Sequence, residues 1–127
     1  MKAQELLNYK NWVVVGDVLN SNKYAFRIMD SLKKAGFNVV GVNPKDNTGE
    51  VYKTLKEVPF NIEVVDLCIN PIKGLGIVQA VQLMNLNKVL IQPGAGSEDI
   101  LSYCRENNIV AIEGCALVEL SRYKSKF

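Results

Sequence analysis

Residues 38–45 read Asn38-Val39-Val40-Gly41-Val42-Asn43-Pro44-Lys45, an apolar β-type run that ends in an amide, a turn and a cation. In a dinucleotide-binding α/β fold, the second strand ends in an acidic side chain that binds the ribose 2′-hydroxyl of NAD. A lysine at that place suits a ribose that carries a phosphate, because its ammonium group is a mobile point charge. The stretch therefore favours a phosphorylated-ribose ligand and disfavours NAD.

Four further apolar runs of the same kind occur along the chain. Nearly continuous apolar runs are typical of strands that are buried on both faces of a parallel sheet. Their starts lie roughly 20 to 26 residues apart, which leaves room for a crossover between successive strands. The predicted strands are residues 12–16, 38–42, 64–69, 88–91 and 109–113.

Helical segments are predicted between and around these strands. The apolar residues Ile28, Met29 and Leu32 share one side of the segment 24–35, which Gly36 ends. The other predicted helices are residues 3–9, 54–58, 77–86, 97–107 and 117–123. The sequence thus predicts one doubly wound, Rossmann-like α/β domain over residues 1–127, with a five-stranded parallel sheet. Strand order 3-2-1-4-5 is its simplest arrangement.

Composition excludes several classes of function. The net charge of +2 and the absence of a dense basic run argue against a nucleic-acid binder, and Arg122, Lys124 and Lys126 form a mildly basic stretch that is expected to be solvated. No run of about 18 apolar residues could span a membrane. No signal-peptide pattern begins the sequence, so a cytoplasmic location is expected.

The absence of histidine removes the commonest general base and metal ligand. Three cysteines without CxxC spacing argue against a disulfide framework and a structural zinc site. Cys68 and Cys104 are expected to be structural. Cys115 follows the last strand, so a thiol role is an alternative to a small buried side chain. Asp66, inside a predicted strand, is expected to pair locally.

The loop after the first strand is a candidate phosphate site. Gly16 lets the backbone approach a ligand, and the helix that opens at Tyr24 supplies unpaired N–H groups. Lys23 at that helix start is unfavourable by about 0.3–1 kcal/mol, a conflict that a bound anion would relieve. Asp17 would repel a phosphate unless it turns away or orients Lys23. The GxGxxG pattern is absent, and a plain loop with a solvated lysine remains the alternative.

The loop after the second strand supplies a second candidate contact. Pro44 biases Asn43 towards an extended conformation, which leaves the Asn43 amide facing the crevice and Lys45 just outside it. Lys45 would then meet a ribose phosphate. The alternative is a turn with an exposed lysine.

The loops after the third and fourth strands differ in charge. Asn70 and Pro71 are either a rigid lip for a ligand or simply a strand exit and helix entry. After the fourth strand, Gly94 allows close approach of an uncharged ligand portion. Glu98 and Asp99 fall in the first turn of the next helix and already satisfy its dipole, so phosphate is not expected there.

These motifs together resemble the small CoA-binding-domain proteins, relatives of the CoA-binding domain in the succinyl-CoA synthetase α subunit. The resemblance covers about residues 10–120, and the order of the motifs is more specific than any one of them. The matching pieces are residues 15–16, 20–24, 35–44, 69–71, 92–94 and 114–115. It implies that Gly16 and Lys23 lie at the CoA phosphates, with Asn43, Pro44 and Lys45 on the side of the adenosine 3′-phosphate.

The resemblance also places Asn70 and Pro71 near adenine or the start of pantetheine, and Gly94 and Cys115 nearer the thiol. Asp17 departs from the small residue that is usual after the glycine. No histidine is present to carry phosphate, and the ATP-grasp portion is missing, so the ligase reaction is not expected.

The leading hypothesis is a cytosolic CoA- or acyl-CoA-binding protein that is a non-catalytic carrier, sensor or partner module. An NADP(H)-binding redox sensor or reductase is the first alternative, because Lys45 also suits a 2′-phosphate. The second alternative is an interaction subunit with a vestigial nucleotide pocket that docks with a second copy or with an enzyme.

Overall fold

The five predicted strands form one parallel sheet in the computed structural model, which describes residues 1–124. Each strand lies within two residues of its predicted bounds. The strands are β1 (Asn11–Gly16), β2 (Asn38–Val42), β3 (Val64–Cys68), β4 (Lys88–Ile91) and β5 (Val110–Glu113). Of the basic C-terminal residues, Lys126 lies outside the described residues.

The strand order is β2-β1-β3-β4-β5, so the expected order 3-2-1-4-5 is wrong. β3 pairs with β1 on one side and β4 on the other, and residues 64–67 are fully buried. Such burial requires an inner strand. β2 begins with the exposed Asn38 and takes the edge. This order places the topological switch point between β1 and β3.

Helices cover both faces of the sheet. α1 (Tyr24–Lys34) and α4 (Ala116–Lys124) pack on one face with the N-terminal 3-10 helix (Ala3–Asn8). α2 (Pro71–Leu83), α3 (Glu98–Glu106) and the 3-10 helix Leu55–Glu57 pack on the other. No helix among residues 1–124 is long and apolar enough to cross a membrane.

Side-chain alternation along β1 divides the core. Trp12 and Val14 contribute to the core under α1 and α4, and Val13 and Val15 to the core under α2 and α3. All four are fully buried. The continuous apolar run thus fills two cores, as predicted for a strand inside a parallel sheet.

α2 begins at Pro71, six residues before the predicted start at Ile77, and Asn70-Pro71 is thus a strand exit and helix entry, one of its two interpretations. Asn70 caps the helix by accepting a hydrogen bond from the Lys73 N–H at 3.0 Å. A Cβ added at Gly74 would lie 3.2 Å from Ile100 and 3.3 Å from Leu67. Gly74 therefore lets the helix pack closely on the sheet and does not interrupt it.

Candidate functional site

The carboxyl ends of β1, β2 and β3 surround a cavity of about 600 Å³, which we call the crevice. It lies at the switch point, where open α/β sheets bind their ligands. Six residues that the sequence singled out line it: Asp17, Lys23, Tyr24, Asn43, Lys45 and Asn70. The chain fold thus brings three separate loops to one place.

Two helices begin at the crevice with their positive ends uncompensated. Lys23 precedes α1 and makes no side-chain cap, and the first turn of α1 contains no acidic residue. The first turn of α2 has none either, although Asn70 caps one of its N–H groups. Unpaired N–H groups and the helix dipole favour an anion at such ends.

A third lysine, which the sequence pattern did not indicate, lines the crevice together with Lys23 and Lys45. Lys73 lies in the first turn of α2 and lines the cavity with Lys45. Partial burial, followed by the charge of the neighbouring Lys45, holds the pKa of Lys73 below its usual value. The Asn-Pro cap could have revealed this position, because a helix that starts at Pro71 puts Lys73 in its first turn.

The amide and carboxylate side chains of the crevice are oriented by local hydrogen bonds. The Asn43 Oδ1 atom accepts from the Lys45 N–H at 3.0 Å, which fixes the turn after β2. Asn43 itself lines the crevice. The Asp17 carboxylate accepts from the Asn20 amide at 3.3 Å and lines the crevice, so it has not turned away from it.

The other predicted residues lie beside the crevice. A Cβ on Gly16 would overlap the Cys68 carbonyl oxygen, so Gly16 allows β1 to approach β3 closely. Pro44 and Pro71 shape the turns and are absent from the residues that line the cavity. Gly94 lines a smaller neighbouring cavity of about 220 Å³.

A second cavity, of about 370 Å³, adjoins the crevice and shares Tyr24 and Cys68 with it. We call it the side cavity. It is lined by Tyr24, Cys68, Gln92, Pro93, Cys115 and Val118. The buried Gln92 accepts a hydrogen bond from the Ala116 N–H at 2.8 Å, which holds the start of α4 at the cavity wall.

Cys68 ends β3 and lines both cavities. The expectation of a structural cysteine does not account for this place at the wall of two cavities. Burial, then the charges of Asp66 and Cys115, raise the pKa of the Cys68 thiol to about 12. Cys68 is therefore a neutral thiol at physiological pH. Cys104, by contrast, is buried in the core under α3, as expected of a structural cysteine.

Asp66 is fully buried in β3, and neither of its carboxylate oxygens has a hydrogen-bond partner among residues 1–124. The expectation that it pairs locally is wrong. Burial raises its pKa well above the ordinary value, so the carboxyl group is held in its neutral form. Its neighbours across the sheet are Val14 and Leu90, which offer no polar side chain.

The start of α3 is compensated, as the sequence predicted. Glu98 and Asp99 occupy its first turn, and Ser97 caps it by accepting from the Ile100 N–H at 3.2 Å. Glu98 also pairs with Arg105 at 3.0 Å. Within residues 1–124, no group of three or more Cys, Asp or Glu side chains could hold a metal ion.

Comparison with known proteins agrees with this geometry. A family model described as "CoA binding domain" matches residues 10–121. A conserved hypothetical protein from Pyrococcus furiosus is 29% identical with a TM-score of 0.79, and the match covers 87% of this chain and 99% of that one. A hypothetical protein from Pyrococcus horikoshii is 26% identical with a TM-score of 0.83, covering 92% and 85%. No curated protein of similar sequence is found.

A protein from Thermus thermophilus shares the fold at 19% identity, with a TM-score of 0.79, covering 96% of this chain and 98% of that one.

Proposed function

This chain belongs to the CoA-binding domain family, and on that premise we propose that it binds CoA in the crevice as a carrier, sensor or partner module. The proposal concerns binding and not the ligase reaction of the synthetase. Two places in the crevice that favour anions are matched to two separate phosphate groups of CoA, its 3′-phosphate and its diphosphate.

The observation that carries the proposal is the approach of Lys45 to Lys73. Both ammonium groups line the crevice. Burial, and after it the charge of Lys45, holds the pKa of Lys73 below its usual value, so the two positive groups stand together at a cost from repulsion. A phosphate dianion between them would relieve it. The 3′-phosphate on the ribose of CoA is such a group, so we place it between Lys45 and Lys73.

The diphosphate of CoA is assigned to the start of α1. Lys23 and the unpaired N–H groups of that helix face the crevice, and no carboxylate lies in the first turn to compete. The Asp17 carboxylate also lines the crevice. Its hydrogen bond to Asn20 holds it in place beside the ligand.

NADP is the alternative that the lysine pair favours equally well. Its 2′-phosphate has the same charge and would sit on the same two ammonium groups. Direct comparison of the two nucleotides therefore tests which one the crevice prefers.

The test is a thermal-unfolding titration with CoA, 3′-dephospho-CoA and NADPH. A ligand at about 100 times its Kd stabilises the folded state by about 2.7 kcal/mol. We expect the largest shift with CoA, a clearly smaller one with 3′-dephospho-CoA and the smallest with NADPH. Native mass spectrometry of the purified protein would identify any retained nucleotide.

The absence of any shift with millimolar CoA would contradict the proposal. A larger shift with NADPH than with CoA would favour the NADP-binding sensor or reductase. If no nucleotide shifts the melting temperature, the interaction subunit with a vestigial pocket becomes the better account, and gel filtration would test its self-association.

A further inference from the structure

The side cavity differs in chemistry from the crevice that it adjoins. The crevice holds Lys23, Lys45, Lys73 and a carboxylate, whereas no charged side chain lines the side cavity. Its wall consists of an aromatic ring, a proline, a valine, two thiols and one amide. The amide carbonyl of Gln92 is already used by the Ala116 N–H. The wall is therefore suited to an apolar group.

Two side chains at the side cavity are partly exposed, although the Arg27 guanidinium lies 5.2 Å from the centre of the Tyr24 ring. Tyr24 is 63% exposed and Val118 is 47% exposed. Tyr24 belongs to both cavities, so a ligand that leaves the crevice past Tyr24 and Cys68 enters the side cavity directly. An apolar ligand portion there would cover Val118 and the Tyr24 ring together.

We propose that the side cavity binds the acyl group of an acyl-CoA, so that the chain prefers short- and medium-chain acyl-CoA thioesters to free CoA. This inference rests on the CoA binding proposed above. With the phosphates held by the lysines of the crevice, the thioester end of the ligand is the part that is free to reach the neighbouring cavity. The occupant is thus an extension of the same ligand and not a second molecule.

The size of the side cavity sets the chain length. A group of the size of a water molecule or a methylene takes up about 30 Å³, so about 370 Å³ holds roughly twelve non-hydrogen atoms. The sulfur and the neighbouring atoms of the pantetheine arm use about four of them. Acyl chains of up to about eight carbons therefore fit, and longer chains extend into solvent.

The Cys68 thiol of the side cavity favours binding over acyl transfer. Cys68 is a neutral thiol, because burial and the nearby Asp66 and Cys115 hold its pKa at about 12. A thiol that keeps its proton is a weak nucleophile towards a thioester. Cys68 therefore acts as part of the apolar wall.

The experiment is a calorimetric titration with free CoA and with acetyl-, butyryl-, hexanoyl-, octanoyl- and palmitoyl-CoA, at concentrations below micelle formation and with reductant present. We expect affinity to rise about two- to fourfold for each added methylene up to about eight carbons and then to level off. Equal affinities for free CoA and octanoyl-CoA, within twofold, would overturn the inference.

Two variants of the exposed Val118 make the test specific. Val118→Asp places a charge in the wall and should abolish the dependence on chain length, so that octanoyl-CoA binds no more tightly than free CoA. Val118→Phe makes the side cavity smaller, so the affinity should stop rising at a shorter acyl chain. Val110→Asp, at an exposed valine at the amino end of β5, is the matched control and should leave the chain-length series unchanged.

The outcomes separate this inference from the proposed function. If free CoA does not bind, CoA binding itself has failed. If free CoA binds and acyl chains do not raise the affinity, only the proposal that the side cavity binds the acyl group has failed. An acyl group transferred to Cys68 or Cys115, visible in the intact mass of the protein, would overturn binding without transfer.

Discussion

The starts of α1 and α2 and the start of α3 all lie at the carboxyl end of the same sheet, but their charges are opposite. Lys23 and Lys73 stand at the first two, where the first turns contain no acid. Glu98 and Asp99 stand at the third, with Ser97 as its cap. Helix dipoles are the same at all three places, so the side chains alone decide which start still needs an anion.

The contrast separates stability from binding. The two carboxylates in the first turn of α3 already compensate its helix dipole, so this helix start is not expected to bind a phosphate. The starts of α1 and α2 are left unsatisfied in the free protein, a local cost that a ligand can remove. Uncompensated charge at the switch point is thus a sign of a binding site, and the predictions below change charged groups inside and outside this site.

The largest effect is expected from Lys23→Glu, which gives α1 the kind of start that α3 has. An anion at the helix start should stabilise the free protein by about 1 kcal/mol. It should weaken CoA binding on the order of 100-fold, because a charge-assisted contact is lost and a repulsion is added. Thermal unfolding and calorimetry measure the two changes separately.

Lys88→Glu is the control for Lys23→Glu, since Lys88 lies at the amino end of β4, away from the crevice. It should leave CoA affinity unchanged. If Lys23→Glu lowered the stability of the free protein and left CoA affinity intact, α1 would not be the diphosphate site.

Lys45→Ala removes one of the two cations assigned to the 3′-phosphate. We expect about tenfold weaker binding of CoA and less than a twofold change for 3′-dephospho-CoA. The pKa of Lys73 should rise in this variant, because a neighbouring positive charge is gone. NMR titration of the lysine side chains would detect that rise, and equal losses for both nucleotides would refute the assignment.

Asp66→Leu tests an uncompensated group that no ligand reaches. The raised pKa means that the folded state keeps a proton that the unfolded chain releases above about pH 4. The contribution of this proton to the free energy of unfolding is therefore fully present below that pH. It is lost as the pH rises towards the folded-state pKa of Asp66. We expect Asp66→Leu to stabilise the protein at both pH values, by about 1 kcal/mol more at pH 8 than at pH 3, because the unpartnered neutral carboxyl group is also costly to bury.

Unfolding by urea at several pH values would measure the difference between Asp66→Leu and the wild type. The difference isolates Asp66 from carboxyl groups such as Glu57, whose pKa is lowered by backbone hydrogen bonds from Thr54 and Lys53. A loss of stability at pH 8 would show that Asp66 has a partner after all.

The smallest effect is expected from Glu98→Gln at the compensated start of α3. The ion pair with Arg105 is exposed, and exposed pairs contribute little. The melting temperature should fall by about 1–2 °C, and CoA affinity should not change. A clear gain in CoA affinity would mean that the acidity of this helix start also shapes the crevice.

The sequence could predict most of the crevice because its contacts follow strands directly. Lys23, Lys45 and Asn70 lie in loops after strands and line the crevice, and their contact with a ligand stays a prediction. Lys73 and Cys68 were missed for a shared reason, since β3 ends one residue earlier than predicted and α2 begins six residues earlier. Gly74 lies inside α2, close to Leu67 and Ile100, and its role in helix packing could be recognised only in the folded chain.

The sequence by itself determined the parallel α/β class, the positions of the five strands and the charge at each helix start. These depend on local composition, because apolar runs and first-turn residues act where they stand. Only the tertiary structure decided the strand order, which sets β1 beside β3 and brings Lys45 to Lys73. Pairing between strands far apart in sequence is chosen by burial and packing, so Asp66 without a partner and the side cavity beneath Tyr24 could be recognised only in the folded chain.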